Sequence, residues 1–112
     1  MKPGMYGAEI EYDRLDNELR RTYLCVEADG SVFLDNLPQP VSGHPDVRLA
    51  SGCWRGELDL RRVSQEVLFS AVRKGRRLSM MLILEWNADA FHIADPKQDE
   101  FGGFGGRYAA LS

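Results

Sequence analysis

Alternating apolar and polar residues along the first third of the chain predict β-strands. In residues 5–12, aromatic and aliphatic side chains alternate with glycine and glutamate, so one face would point inward and the acidic face would point to water. Residues 19–27 and 31–35 are rich in Thr, Val, Leu and aromatic side chains. Asp29-Gly30 lies between them and tolerates the positive φ angles of a two-residue hairpin turn. The pattern therefore predicts one strand followed by a β-hairpin.

A proline-rich segment interrupts this pattern. Residues 36–46 contain three prolines and one glycine, which oppose helix formation and ladder pairing, so a loop is expected. Its eleven residues exceed the usual length of a connection, which favours a role as a contact surface. His44, between Gly43 and Pro45, is the loop residue that we expect to meet a partner. Residues 47–58 then predict a fourth strand, bent at one of its glycines.

The hydrophobic period lengthens after residue 59. One apolar stripe with steps of three and four is formed by Leu60, Val63, Val67, Leu68, Ala71 and Val72. This spacing predicts an amphipathic helix of about residues 64–74 that begins at Ser64 and ends before Gly75. Arg73 and Lys74 in its last turn would complement the negative end of the helix dipole.

The last third of the chain returns to strands. Residues 78–86 are apolar on both faces, which is typical of a central strand covered by a helix, and residues 91–94 predict a short final strand. Together the elements predict an α+β fold, an antiparallel sheet of five to six strands with one helix packed on one face. We expect one compact domain over residues 1–96 and a Gly/Phe-rich tail or docking arm over 97–112, because such glycine density costs backbone entropy on ordering.

Composition limits the class of protein. The chain of 112 residues with 44% apolar residues is long enough to bury one core without metal or disulfide staples. It has no apolar run long enough to span a bilayer and no signal-peptide pattern, so a cytoplasmic location without membrane contact is expected. Cys25 and Cys53 belong to no CxxC motif. We expect them to be reduced, packed thiols.

Motifs for enzyme chemistry are missing from the sequence. It contains no P-loop, no GxGxxG between strand and helix, no HExxH and no GxSxG. Only two histidines are present, and a strand would send His92 and Asp95 to opposite faces. The sequence therefore predicts no catalytic residues, no metal site and no cofactor, and a role other than an enzyme is favoured.

Charge is distributed unevenly within the net value of −3. Acidic residues concentrate between Glu9 and Glu18, whereas one short segment carries six basic residues, Arg61, Arg62, Arg73, Lys74, Arg76 and Arg77. These six are the candidate nucleic-acid contacts, a minor alternative because an acidic chain lacks the overall positive field that drives phosphate binding. On a helix of about ten residues, roughly 15 Å long, they would form two patches as easily as one.

The favoured function is a non-catalytic protein-binding module. An acidic strand edge, a proline-rich loop and an aromatic tail would engage another protein, and an immunity- or inhibitor-type protein that neutralises a basic partner fits this profile because acidic surfaces accelerate capture of cationic partners. The candidate contacts are Glu9, Glu11, Asp13, His44, Phe101, Phe104 and Tyr108. The exposed edge and the tail also favour a homodimer.

The alternative is a small enzyme or a small-molecule-binding domain. Its pocket would lie between the helix and the sheet, and its lining would come from Trp54, Trp86, Tyr23 or His92. Burial in the core is the competing role for both tryptophans, because aromatic side chains dominate core packing.

Overall fold

The computed structural model describes residues 1–96 and 103–111. Nine antiparallel strands and one short 3-10 helix occur in this part of the chain. The strands are β1 (Gly4–Gly7), β2 (Glu11–Asp13), β3 (Glu18–Val26), β4 (Ser31–Pro38), β5 (Trp54–Glu57), β6 (Ser64–Arg73), β7 (Arg76–Asn87), β8 (Ala90–Ala94) and β9 (Gly106–Ala110). The 3-10 helix, Val47–Leu49, lies in the connection between β4 and β5.

Eight of these strands close into an antiparallel barrel. Neighbours along the chain pair from β3 to β9, and β1 closes the circle because it pairs with β9 on one side and with β3 on the other. Strand β2 continues beyond β1 along the first residues of β3. Closure pairs the backbone groups that an open sheet would leave at its edges.

The predicted α+β fold is wrong, because residues 64–74 form a strand and its turn. All ten residues of β6 pair with β7, from Ser64↔Glu85 to Arg73↔Arg76. Lys74 and Gly75 between them have φ angles of 53° and 74°, as a two-residue hairpin turn requires. The described residues thus contain no packed helix, and no helix among them is long and apolar enough to cross a bilayer.

The apolar stripe that predicted a helix combines two faces of one strand. Val67 and Ala71 point into the barrel, whereas Leu68 and Val72 point outward and are exposed. Phe69, which the helical stripe left out, is fully buried. Apolar residues on both faces of β6 therefore produced three- and four-residue spacings by coincidence.

Other local predictions agree more closely with the structure. The hairpin around Asp29-Gly30 is present as β3 and β4, but its turn includes Glu27 and Ala28, and only Gly30 in it has a positive φ, of 93°. The predicted strands at 78–86 and 91–94 lie within β7 and β8. The predicted fourth strand is shorter, since β5 begins only at Trp54.

The barrel interior is filled by aromatic and aliphatic side chains. Trp54, Phe69, Phe91 and Tyr108 are all buried, and Tyr6 contacts the Phe91 ring edge to face at 4.8 Å between centroids. Each comes from a different strand, so closing the barrel brings them together. Strand β9 lies inside the segment expected to be a tail or docking arm, and it pairs with both β8 and β1.

The long connection between β4 and β5 covers the outer surface of β3. Tyr23 is fully buried beneath it, donates a hydrogen bond from its hydroxyl to Gln39 Oε1 at 2.8 Å, and contacts the His44 ring. Val47 is also fully buried. The loop therefore packs on the barrel as a second layer on one side.

Candidate binding site at the barrel mouth

One end of the barrel holds a polar cavity of about 420 Å³. It lies where β4 and β6 end and where β3 and β9 begin, and we call this end the mouth. Its polar lining includes Glu9, Glu11, Arg20, Asp35, Asn36 and Arg73, and its apolar lining includes Phe104 and Tyr108. Mouths of small barrels are common ligand sites, because interior side chains leave a recess there.

The cavity opens where β1 and β9 separate. Their ladder has two residue pairs, Tyr6↔Ala110 and Gly7↔Ala109. Beyond Gly7 the chain follows β3 through β2, while β9 extends back to Gly106. Glu9 and Glu11 therefore line one side of the opening, and the residues 103–105 line the other.

Arg20 is held on the cavity wall by a network from β3 and β4. Its Nε donates to Asn36 Oδ1 at 2.6 Å, and its Nη2 donates to the Asn36 carbonyl at 2.9 Å. Glu18 forms an ion pair with it, and Asn36 Nδ2 donates to Thr22 Oγ1 at 3.0 Å. The charge of Arg20 is thus compensated within the protein, and its position is fixed.

Asp35 and Arg73 form a second pair across the mouth. Asp35 Oδ1 accepts from the Asn36 backbone N–H at 2.9 Å and lies 3.3 Å from Arg73 Nη2. Arg73 also donates from Nε to the Gly52 carbonyl at 3.0 Å, and its guanidinium lies 5.5 Å from the centre of the Trp54 ring. Burial raises the pKa of Asp35 above its ordinary value, and this effect outweighs the Asn36 and Arg73 contacts that lower it.

The floor of the cavity is formed by the start of β9 and the residues before it. Tyr108 is buried and donates its hydroxyl hydrogen to the Phe104 carbonyl at 2.8 Å. Phe104 is buried too, and its ring meets Trp54 edge to face at 6.3 Å between centroids. Burial raises the pKa of the Tyr108 hydroxyl far above its ordinary value, and the carboxylates of Asp95 and Glu11 add to this rise. The phenol therefore keeps its proton near neutral pH.

Glu9 and Glu11 differ from the other charged groups of the site. Both are exposed at the rim, and the ion pairs found within residues 1–96 and 103–111 involve neither of them. The paired residues of the cavity contribute little net charge, so these two carboxylates make their own side of the opening acidic, whereas Lys74, Arg76 and Arg77 make the part of the mouth around the β6–β7 turn basic. A cation is the complementary ligand.

The predicted partner contacts are distributed over several places. Glu9 and Glu11 lie on the rim, and Phe104 and Tyr108 form the floor, where their rings are buried. Asp13 ends β2, and its carboxylate accepts a hydrogen bond from the Leu15 backbone N–H at 2.9 Å. His44 lies outside the barrel against Tyr23, and Phe101 lies outside the described residues.

The six basic residues do not form one surface. Arg73, Lys74, Arg76 and Arg77 surround the β6–β7 turn at the mouth, whereas Arg61 and Arg62 lie in the β5–β6 connection at the opposite end. Arg61 pairs with Asp59 at 3.0 Å. A continuous track for a phosphate backbone is therefore missing from these residues.

The pocket proposed between a helix and the sheet does not exist in the described residues. Trp54 fills the barrel interior, and Trp86 packs against Tyr6 and Phe91 inside the barrel. Tyr23 and His92 lie on the outer face of separate strands. These four side chains therefore do not line one cavity.

Metal binding and thiol chemistry depend on where His, Cys, Asp and Glu side chains lie. Residues 1–96 and 103–111 contain no group of three or more His, Cys, Asp or Glu side chains placed to hold a metal ion. Cys25 and Cys53 are free thiols, and burial, the largest cause, raises the pKa of Cys25. Cys25 is therefore a poor nucleophile near neutral pH.

Sequence reasoning missed Arg20, Asp35 and Asn36 as members of the site. A weak signal was present, because Asp35 and Asn36 interrupt the apolar run that begins at Val32. Their meeting with Arg73 depends on β4 and β6 lying on either side of β5, which no local pattern reveals.

Comparisons of this chain with protein-family models, curated proteins and solved structures found no match.

Proposed function

We propose that this protein is a non-catalytic binding module that captures a basic side chain of another protein at the barrel mouth. The observation that carries this proposal is the pair of exposed carboxylates, Glu9 and Glu11, on the rim of a cavity whose other charged groups are largely paired with one another. An immunity- or inhibitor-type protein that neutralises a basic partner is the class of function that this recognition suits.

A lysine or arginine side chain has an aliphatic stem and a charged head, and the cavity offers a complementary surface to each. The aliphatic stem would lie against Ala8 and the Phe104 region, while the charged head would meet the carboxylates of Glu9 and Glu11. A guanidinium can donate two parallel hydrogen bonds to a carboxylate, which adds geometric specificity. Arg20 is the cross-strand partner of Glu11, but its guanidinium is already bound by Glu18 and Asn36, so the Glu11 carboxylate stays available to the head group.

The electrostatics also suit rapid capture. The side of the opening that carries Glu9 and Glu11 is acidic, and the chain as a whole carries a net charge of −3, so a basic partner would be attracted before contact. Such steering raises the association rate more than it lowers the dissociation rate, and salt weakens it. A steep salt dependence of the association rate is therefore expected for any partner of this class.

The test uses peptides that differ only at one central residue, which is Arg, Lys, Gln or norleucine. We expect the Arg and Lys peptides to bind, and we expect Glu9→Gln/Glu11→Gln to weaken that binding by about tenfold, equivalent to about 1.4 kcal/mol. Glu57→Gln/Asp89→Asn is the matched control, because it removes the same charge from exposed positions away from the cavity and from the outer face of β6 and β7. Equal loss in both double variants would show that only net charge matters and would contradict the proposal.

A small-molecule ligand is the second candidate, and the cavity volume favours it. About 420 Å³ lies within the usual range for small-molecule sites, roughly 300–1,000 Å³. Small amines and guanidines distinguish the two cases in a thermal-shift assay, because a ligand that binds only the folded state raises apparent stability. If free arginine amide binds as tightly as the arginine peptide, the small-molecule alternative replaces the protein partner.

A further inference from the structure

The outer face of the β6–β7 hairpin carries an exposed apolar patch. Leu68 and Val72 on β6 are each 58% exposed, and Met81 on β7 is 44% exposed. Leu68 and Met81 are direct cross-strand partners, and half-buried Ile83 extends the patch along β7, whereas the Ser70–Ser79 pair separates Val72 from it. Contiguous apolar surface of this kind often marks a protein interface.

Charged residues flank this patch with opposite signs. Along β7 the outward positions are Arg77, Ser79, Met81, Ile83 and Glu85. Arg77 precedes Met81 by four residues and Glu85 follows it by four, so each charge lies about 13 Å from Met81 along the strand. On β6, Glu66 adds a second carboxylate at the same end as Glu85. The patch is therefore basic at one end, apolar in the middle and acidic at the other.

We propose that two copies of this chain associate face to face through this patch, about a two-fold axis that passes close to Met81. A two-fold axis normal to the strand makes the two β7 strands antiparallel, so Arg77 of each protomer lies opposite the partner's Glu85. The two contacts are equivalent, as in any isologous interface. Leu68 and Met81 pack against their own copies at the centre, and the strands cross at about −30°, as in aligned sheet packing.

The charges that this arrangement uses have no competing ion pair on their own chain. Within residues 1–96 and 103–111, the ion pairs found involve neither Arg77 nor Glu85. The two residues are also too far apart in one protomer to contact each other, since eight strand residues span about 26 Å. Any attraction between them is therefore intermolecular.

This dimer differs from one that would form through an exposed strand edge and an aromatic tail. The eight barrel strands are paired on both sides, and Phe104 and Tyr108 are buried in their own protomer. A dimer that forms through the outer face of β6 and β7 also leaves Glu9 and Glu11 exposed at the mouth. The dimer and the proposed binding site are independent, so one proposal can fail while the other holds.

The test measures association by sedimentation velocity over a concentration series. Arg77→Glu alone and Glu85→Arg alone each place like charges in both contacts, and we expect each to raise the dimer dissociation constant at least tenfold. In a mixture of the two single variants, the heterodimer sets two acidic residues of one protomer opposite two basic residues of the other, so both contacts become attractive again. The mixture should therefore dimerise although neither variant does so alone, and the double variant should dimerise like the natural chain.

Further variants test the apolar centre. Leu68→Asp should abolish dimerisation, whereas Leu49→Asp, at an exposed position in the β4–β5 connection, should leave it unchanged. Circular dichroism and thermal unfolding establish that each variant is folded. If Leu68→Asp does not fold, the charge variants Arg77→Glu and Glu85→Arg still test the proposal, because they change exposed strand positions. A natural chain that stays monomeric at all concentrations, or a dimer indifferent to the charge exchange, overturns the proposal.

Discussion

Asp35 Oδ1 and Arg73 Nη2 lie 3.3 Å apart at the barrel mouth and join two strands that are not neighbours. Strand β5 separates β4 from β6 in the sheet order, so this ion pair spans the width of β5. Asp35 is buried and Arg73 is partly exposed. The guanidinium therefore supplies a compensating positive charge to a carboxylate that has left bulk water.

Removing Arg73 should destabilise the fold. Arg73→Ala leaves the Asp35 carboxylate without its cationic partner and removes the contact with the Trp54 ring. We expect the free energy of unfolding to fall by about 1–3 kcal/mol, the usual cost of leaving a buried polar group without its partner. Urea denaturation measures this change. Arg76→Ala, an exposed change in the same hairpin, should cost less than about 0.5 kcal/mol.

The carboxyl of Asp35 should give a distinctive dependence of stability on pH. Burial raises its folded-state pKa above the ordinary value of 3.8, so the folded state binds the proton more tightly than the unfolded state does. Between these two pKa values, stability falls as pH rises. The stability of the natural chain relative to Asp35→Asn should therefore decrease as pH rises from 3.8 toward neutrality.

Asp29 provides the control with the opposite sign. Its carboxylate is exposed and accepts a hydrogen bond from the Ser31 backbone N–H at 2.9 Å, and the contacts with Ser31 lower its pKa. Its contribution is present above the unfolded-state pKa and is lost as pH falls. Relative to Asp29→Asn, the natural chain should gain stability as pH rises. Parallel trends for the two variants would contradict the assigned environments.

Alanine substitutions in β6 should distinguish a strand from a helix. Phe69 is fully buried, so Phe69→Ala should cost about 3–5 kcal/mol through lost packing and a residual cavity. Leu68→Ala removes an outward side chain and should cost less than about 1 kcal/mol in the monomer. Chemical denaturation at low protein concentration measures both. A helix with the predicted stripe would reverse this order, because that stripe contains Leu68 and omits Phe69.

The turn between β3 and β4 should tolerate only glycine at position 30. Gly30 has a φ of 93°, and a Cβ atom there would lie 2.5 Å from the Leu58 carbonyl oxygen. Gly43 has a φ of 71°, but a Cβ atom added there would have no other atom within 4 Å. We expect Gly43→Ala to cost about 1–2 kcal/mol through backbone conformation alone, and Gly30→Ala to cost more because of the close contact. Thermal unfolding compares them, and equal losses would exclude a contribution from Leu58.

The sequence by itself determined those parts of the structure that depend only on neighbouring residues. The hairpin at Asp29-Gly30 and the strands near residues 78–86 and 91–94 were predictable, because turn propensity and side-chain alternation are properties of neighbouring residues. The excess of basic residues between 61 and 77 and the acidic start of the chain were equally plain in the sequence.

Only the tertiary structure decided the rest. Residues 64–73 carry apolar side chains on two faces, and their pairing with β7 and the burial of Phe69 made them a strand. The pairing of β1 with both β3 and β9 closed the barrel and placed Glu9 and Phe104 around one cavity, and the strand order β4-β5-β6 brought Asp35 to Arg73. These contacts join residues far apart in the chain, and they form only when the strands of the sheet are assembled. A pattern of neighbouring residues therefore does not predict them.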